Sequence, residues 1–275
     1  MTPQLDGAAA DAWRQLLADP TNALLAFDFD GTLSPITANP EEAHVHPDVV
    51  ALLARLGPCV RQIAVVTGRP VQDVRRLGGF DGVDGLGSLV VLGQYGYERW
   101  DAASGDVLAP PPPEAIAHVR EELPAVLAEH GWPDAHVEEK GRALGVHVRR
   151  LTDPNAAFDA LLEPLTELAE KHGLGVEPGK HVIEIRAEGM DKGRALRDLV
   201  KEVGARTVLF AGDDLGDVPA FDTVTAMRDE GIPGLAVCSS SGEEQVELAA
   251  HTDLSVAGPD GVVELLSELA GELGA

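Results

Sequence analysis

Three short apolar runs in this chain each break off at a polar loop containing glycine, and that recurrence constrains the fold more than any other feature. Leu24-Leu25-Ala26-Phe27 ends in Asp28-Phe29-Asp30-Gly31-Thr32. Ile63-Ala64-Val65-Val66 ends in Thr67-Gly68-Arg69-Pro70, and Val208-Leu209-Phe210-Ala211 ends in Gly212-Asp213-Asp214. Short unbroken apolar runs of this kind read as strands buried on both faces. Leu89-Val90-Val91-Leu92 and residues 234–237 add two more. Apolar spacing predicts helices over 8–18, 47–56, 71–77, 217–226 and 261–273, and one from an Asp191 cap to about 203. Strands alternating with helices predict an α/β fold, a Rossmann-like core with a parallel sheet and helices on both faces.

The middle of the chain breaks that rhythm. Ala109 leads into four consecutive prolines, Pro110 to Pro113, which form a stiff extended connector. Beyond it the pattern predicts a helix (114–130), strands near 135–139 and 143–150, a helix (155–172), and strands near 174–177 and 181–186. The expected organisation is a core over 1–108 and 187–275, with a smaller α+β cap over 109–186 inserted between Thr67 and Lys192.

Composition limits the partners. The chain has 46 acidic against 21 basic residues, a formal net charge of -25 over 275 residues. Such a charge repels nucleic acid and anionic membranes, and no Lys/Arg run offers a stripe to follow a phosphate backbone. Neither partner is expected. Cys59 and Cys238 lie in or beside apolar runs and read as small core residues, without support for a disulfide. Residues 1–20 lack a basic start followed by a long apolar run, so a cytoplasmic location is expected.

The strand ends suggest one site. In α/β sheets, ligands bind beyond the carboxyl ends of the strands. Three such ends carry Asp28 with Asp30, Thr67, and Asp213 with Asp214, and a helix start carries Lys192. One carboxylate can attack phosphorus, and a second two positions on can protonate a leaving alcohol and later activate water. Clustered carboxylates suit magnesium, while Thr67 and Lys192 can hold phosphoryl oxygens. Taken singly, Asp-x-Asp-Gly is an ordinary turn and Asp213-Asp214 an ordinary helix cap. Their joint order on separate strand ends is what points to phosphoryl transfer. His44, His46 and His181 have no zinc-site spacing and read as structural or surface residues.

Asp28-Phe29-Asp30-Gly31-Thr32-Leu33, Thr67-Gly68-Arg69, Lys192 and Gly212-Asp213-Asp214 resemble the four motifs of the haloacid dehalogenase-like superfamily. That resemblance implies Asp28 as nucleophile, Asp30 as general acid and base, and Thr67 and Lys192 as phosphate binders. It also implies Mg2+ held by the Asp28 carboxylate, the Asp30 backbone carbonyl and Asp213, with Asp214 and Asp217 as further ligands or outer groups. Asp30 to Thr67 spans 37 positions and is already filled by a helix and a strand, whereas Thr67 to Lys192 spans 125 and has room for the cap.

Inside the insert the chain resembles trehalose-6-phosphate phosphatases. The carriers are Gly93-Gln94-Tyr95-Gly96-Tyr97-Glu98, Val137-Glu138-Glu139-Lys140 with His147-Val148-Arg149, and the segment from Glu177 to Arg186. The resemblance implies a small sugar-phosphate substrate, bound by Gly68, Arg69, Glu138, Lys140, Arg149, Lys180 and Glu184. Carboxylates and cations of this kind can each hold several sugar hydroxyls, although the same residues would make ordinary ion pairs on a solvated sheet face. The sequence departs from the family where Gly216 and Val218 stand in place of Thr and Glu, and where Val148 stands in place of Tyr. A phosphatase of another sugar phosphate, of sucrose or glucosylglycerol type, and a sugar-phosphate sensor without turnover stay open as alternatives.

Overall fold

A computed structural model describes residues 5–37, 39–179, 181–187, 191–240 and 245–275. In chain order its elements are α1 (Gly7–Ala18), β1 (Ala23–Phe27), α2 (Val49–Leu56), β2 (Gln62–Val66), α3 (Val71–Gly78), β3 (Leu89–Gly93), β4 (Glu98–Asp101) and β5 (Val107–Leu108). Then come α4 (Glu114–Glu129), β6 (His136–Glu139), β7 (Ala143–His147), α5 (Pro154–Lys171), β8 (Gly175–Gly179) and β9 (Val182–Arg186). The last are α6 (Lys192–Val203), β10 (Thr207–Gly212), α7 (Val218–Asp229), β11 (Gly234–Ser240), α8 (Gln245–Leu248), β12 (Leu254–Ala257) and α9 (Gly258–Leu273). They form two compact units, Met1–Ala109 with Asp191–Ala275, and Pro110–Met190.

The large unit is built on an eight-stranded sheet of order β12-β11-β10-β1-β2-β3-β4-β5. The six strands from β12 to β3 run parallel, and β4 and β5 close one edge antiparallel. The apolar runs work because successive side chains go to opposite faces. Leu25, Phe27, Ile63, Val65, Leu209 and Ala211 join one core with α1, α2, α3 and α9. Leu24, Ala26, Ala64, Val66, Val208 and Phe210 join a second core with α6, α7 and α8. Both faces are thus covered, as an unbroken apolar strand requires.

The small unit is a four-stranded antiparallel sheet of order β6-β7-β9-β8. Leu144, Val146, Ile183 and Ile185 pack against Ile116, Leu123, Leu161, Leu165 and Leu168 of α4 and α5. The alternate positions Glu138, Gly145, His147 and Glu184 belong to the opposite face. Arg142 is buried and donates from Nη1 to the carbonyls of Pro110 (2.9 Å) and Pro111 (2.6 Å), tying the proline run to its own unit. Both cysteines are free, with Cys238 buried. Among the described residues no helix is long and apolar enough to cross a membrane.

Candidate active site

Asp28 directly follows β1, and its N–H donates to Ala211 O of β10 at 2.8 Å, so the sheet itself fixes its backbone. Lys192 opens α6, where Asp191 caps the helix by accepting from Arg194 N at 2.8 Å. The Lys192 Nζ lies 2.8 Å from Asp28 Oδ1 and 2.8 Å from Asp217 Oδ1. Asp217 Oδ2 accepts from Asp213 N at 2.9 Å and from Asp214 N at 3.3 Å. Asp28, Asp213 and Asp217 are all buried and offer oxygens within 4.8 Å of one another.

Two glycines make room for this crowding. Gly31 has φ +68°, and a Cβ there would fall 1.9 Å from Asp213 Oδ2. A Cβ on Gly212 would fall 2.4 Å from Asp217 Cγ. The carbonyl of Gly31 is held in turn by the buried hydroxyl of Ser239 at 2.7 Å.

The electrostatics follow from the crowding. Burial drives the Asp28 carboxyl well above its ordinary range, with Lys192 opposing and the charges of Asp217 and Asp214 adding to the rise. Asp213 is pushed up to about 10, first by burial and then by Asp28, Asp214 and Asp217. Asp217 reaches about 6 through burial, restrained by Lys192. Burial pulls Lys192 down, but Asp217 and Asp28 outweigh it and hold the ammonium charged. One cation against three buried carboxylates leaves the set short of positive charge. Hard oxygen donors in that condition fit a divalent cation.

Asp30 has a different partner. Arg69 donates from Nε to its Oδ2 at 2.6 Å and from Nη2 to its Oδ1 at 2.8 Å, a two-pronged bond. The Arg69 guanidinium also lies 5.6 Å from the Phe29 ring centroid. Thr67 is buried, and its Oγ1 accepts from Arg69 N at 3.2 Å. The loop carrying Thr67, Gly68 and Arg69 is braced from beyond β3. Tyr95 N donates to Thr67 O at 2.9 Å, Gln94 Nε2 to Gly68 O at 2.9 Å, and Gln94 N to Arg69 O at 3.0 Å. Gln94 (φ 49°) and Tyr95 (φ 58°) sit in the left-handed region, which is strained for such residues and is held here by those bonds.

Asp214 is exposed and caps the turn Leu215–Asp217 by accepting from Gly216 N at 2.9 Å, so its carboxylate lies outside the three-carboxylate cluster. Asp217 takes that place. Asp214 is extended and the short turn Leu215–Asp217 folds back behind it, which returns the Asp217 carboxylate to the backbone of Asp213. Gln94 and Tyr95 belong to the Gly93 to Glu98 segment that carries the resemblance, but no residue pattern marks them or Ser239 as loop supports.

The residues assigned to sugar lie in the small unit. Lys140 Nζ is 2.6 Å from Glu184 Oε2 and 3.8 Å from Glu138 Oε2. Glu138 Oε2 is also 2.7 Å from His147 Nε2. Arg149 is exposed in the turn that follows β7, because the strand ends at His147 rather than at 150. Lys180 lies outside the described residues.

The large unit's parallel sheet, with acidic loops at the ends of its strands, is the fold of haloacid dehalogenase-like hydrolases. One such protein from Bacteroides thetaiotaomicron matches with a TM-score of 0.63 at 15% identity, over 90% of this chain and 99% of that one. Residues 26–254 match the family described as Trehalose-phosphatase, and the chain belongs to that family. A trehalose-phosphate phosphatase from Mycolicibacterium paratuberculosis is 32% identical over 261 residues, 90% of this chain and 62% of the relative. The trehalose-6-phosphate phosphatase structure from Aspergillus fumigatus matches with a TM-score of 0.72 at 22% identity, covering 98% and 99% of the two chains. The chain spans about three-fifths of the length of the first curated relatives it matches, 62% in each case.

Proposed function

We propose that this chain is a magnesium-dependent phosphatase that hydrolyses trehalose 6-phosphate to trehalose and phosphate, with Asp28 as nucleophile. The observation that carries the reading is the buried Asp28 carboxylate, salt-bridged to Lys192 at 2.8 Å and crowded by Asp213 and Asp217 within 4.8 Å. Family membership supplies the substrate class.

Asp28 Oδ attacks phosphorus as the sugar oxygen leaves, forming a phospho-Asp28. Asp30 takes up a proton from solvent as Arg69 leaves it, donates that proton to the leaving oxygen, and then removes one from the water that cleaves the acyl phosphate. Lys192 keeps Asp28 oriented and meets charge on the phosphoryl oxygens, as does the Thr67 hydroxyl. Gly68 and Arg69 complete the phosphate loop, and Arg69 exchanges its hold on Asp30 for the incoming phosphate. Asp28, Asp213 and the Asp30 carbonyl would hold Mg2+, with Asp217, more than the exposed Asp214, as the further group beside them. The bound cation would neutralise phosphoryl charge. Glu138, Lys140, Arg149, Lys180 and Glu184 are proposed to hydrogen-bond the sugar. The site of action is proposed to be the cytoplasm, with neither nucleic acid nor membrane as a partner.

The test is phosphate release from trehalose 6-phosphate, sucrose 6-phosphate and glucosylglycerol phosphate, each with Mg2+. Trehalose 6-phosphate should give the highest kcat/KM. Preference for another member of the panel would overturn the substrate, and no release from any would favour a sensor.

Chelation should stop release and Mg2+ restore it, and stability should carry the same information. Asp213 and Asp217 titrate higher in the folded protein than in the unfolded chain, so the metal-free fold binds extra protons. Its stability should therefore fall as pH rises from about 4 through about 6 and towards about 10. The Mg2+-induced rise in Tm should grow over the same span, because less proton displacement is needed. A rise in Tm independent of pH would remove these carboxylates from the metal site.

Gln94→Ala should lower turnover on every phosphomonoester by about 10-fold, since the loop carrying Thr67 and Arg69 loses its brace at Gly68. A loss confined to the sugar phosphate would show that the brace is not what Gln94 supplies.

A further inference from the structure

The polar face of the small sheet has a gap at its centre. Glu138 of β6 stands opposite Gly145 of β7, Gly145 stands opposite Glu184 of β9, and Glu184 stands opposite Glu177 of β8. Three carboxylates thus share one row, interrupted by a residue with no side chain. Glu184 is tied by Lys140 at 2.6 Å, with Arg186 Nη1 3.7 Å from its other oxygen. Glu138 is tied by His147, which lies two residues along β7 from the gap. The imidazole leans back over Gly145: a Cβ there would sit 3.2 Å from His147 Nε2 and 3.7 Å from Glu138 Oε2.

A glutamate on a sheet face has three rotatable bonds and gains little from a single mobile ion pair. An imidazole has two, and this one is steadied by the His136 ring opposite it, with centroids 5.8 Å apart. The Nε2···Oε2 distance of 2.7 Å is that of a charge-assisted hydrogen bond. The bond to His147 is also the largest influence drawing the Glu138 carboxyl below its ordinary range, ahead of burial, which opposes it, and of the charge on Lys140. An ionised, oriented carboxylate beside a strand position without a side chain of its own is an acceptor for sugar hydroxyl groups.

We propose that His147 is a positioning residue that fixes the Glu138 carboxylate beside the gap at Gly145 for sugar recognition. The proposal rests on the sugar-reading role assigned to Glu138 above. His147 acts through Glu138 and touches no reacting atom.

The experiment is a double-mutant cycle on the whole chain with Mg2+, measuring kcat and KM for trehalose 6-phosphate and for a small aryl phosphate. His147→Ala should lower kcat/KM for trehalose 6-phosphate by about 3- to 10-fold, chiefly through KM, as expected for one hydrogen bond. Aryl phosphate hydrolysis, which also reports an intact fold, should stay within about 2-fold of the parent. His147→Gln, whose amide can donate to Glu138 from a similar position, should recover most of the loss. In the Glu138→Ala background, His147→Ala should add nothing. Full additivity in the double variant, or equal losses on both substrates, would overturn the positioning role and leave the sugar-reading role of Glu138 standing. If Glu138→Ala itself has no effect on trehalose 6-phosphate, both readings fall together.

Discussion

Asp28→Asn is expected to abolish turnover, lowering kcat by at least about 1,000-fold while the chain stays folded. The carboxylate lies at the end of a strand whose backbone is held by Ala211 and whose flanking residues are buried on both faces. The amide has nearly the same shape and can still accept from Lys192, so packing is retained. It is too weak a nucleophile to form the phospho-enzyme. Burial raises the Asp28 carboxyl well above its ordinary range, so the charged form is disfavoured in the metal-free protein and a neutral amide is accommodated there. Its Tm without metal should match or exceed the parent's, whereas Mg2+ should raise it less. Phosphate release and thermal unfolding, each with and without Mg2+, check the two halves together. Substantial activity in the pure variant would mean that another group attacks phosphorus.

Much of this site could be read from the chain because strand ends carry it. Val208 to Ala211 read as a strand since each residue serves one of the two cores, which leaves no polar position to confuse the pattern. The same logic hid β4 and β5. At the antiparallel edge, Glu98, Arg99 and Asp101 reach solvent and Trp100 is the buried member of β4, so no apolar run marks it. Leu254 to Ala257 of β12 form the other edge and alternate between exposed and half-buried positions, with the same result.

Within the site, sequence identified residue types better than partners. Asp213-Asp214 as a doublet does not say which carboxylate turns inward. That depends on the turn Leu215–Asp217, which leaves Asp214 outside as a cap and brings Asp217 in. Positive φ at Gln94 and Tyr95 carries no pattern, because such conformations are usually signalled by glycine. Period-two alternation puts Glu138 and Lys140 on one face of a strand, but it does not give the register that sets Gly145 between Glu138 and Glu184. Cross-strand pairing is a non-local property, and residues 44 positions apart, such as Lys140 and Glu184, meet only through it.

Asp217→Asn should be the most damaging substitution outside the nucleophile, and the reason is a count of hydrogen bonds. Three donors converge on the Asp217 carboxylate: Lys192 Nζ on Oδ1, and the N–H groups of Asp213 and Asp214 on Oδ2. An asparagine offers one oxygen and, in place of the second, an NH2 group. If its oxygen faces the backbone, the NH2 meets the Lys192 ammonium. If it faces Lys192, the NH2 meets the Asp213 N–H. Neither orientation satisfies all three, and the position is fully buried, so water cannot take over the missing bond. Stability should fall by roughly 2–4 kcal/mol, the range for removing one partner from a buried charged network. Of its contacts with Asp28 and Asp217, Lys192 would keep the one with Asp28. Held more tightly, Asp28 would be a poorer nucleophile, and the Asp213 backbone would lose its anchor. We therefore expect kcat to fall by about 100-fold and the Mg2+ concentration for half-maximal activity to rise. Urea unfolding and Mg2+ titration of phosphate release measure the two effects separately. A variant with parental stability and an unchanged Mg2+ requirement would reduce Asp217 to a spectator and return the outer metal position to Asp214.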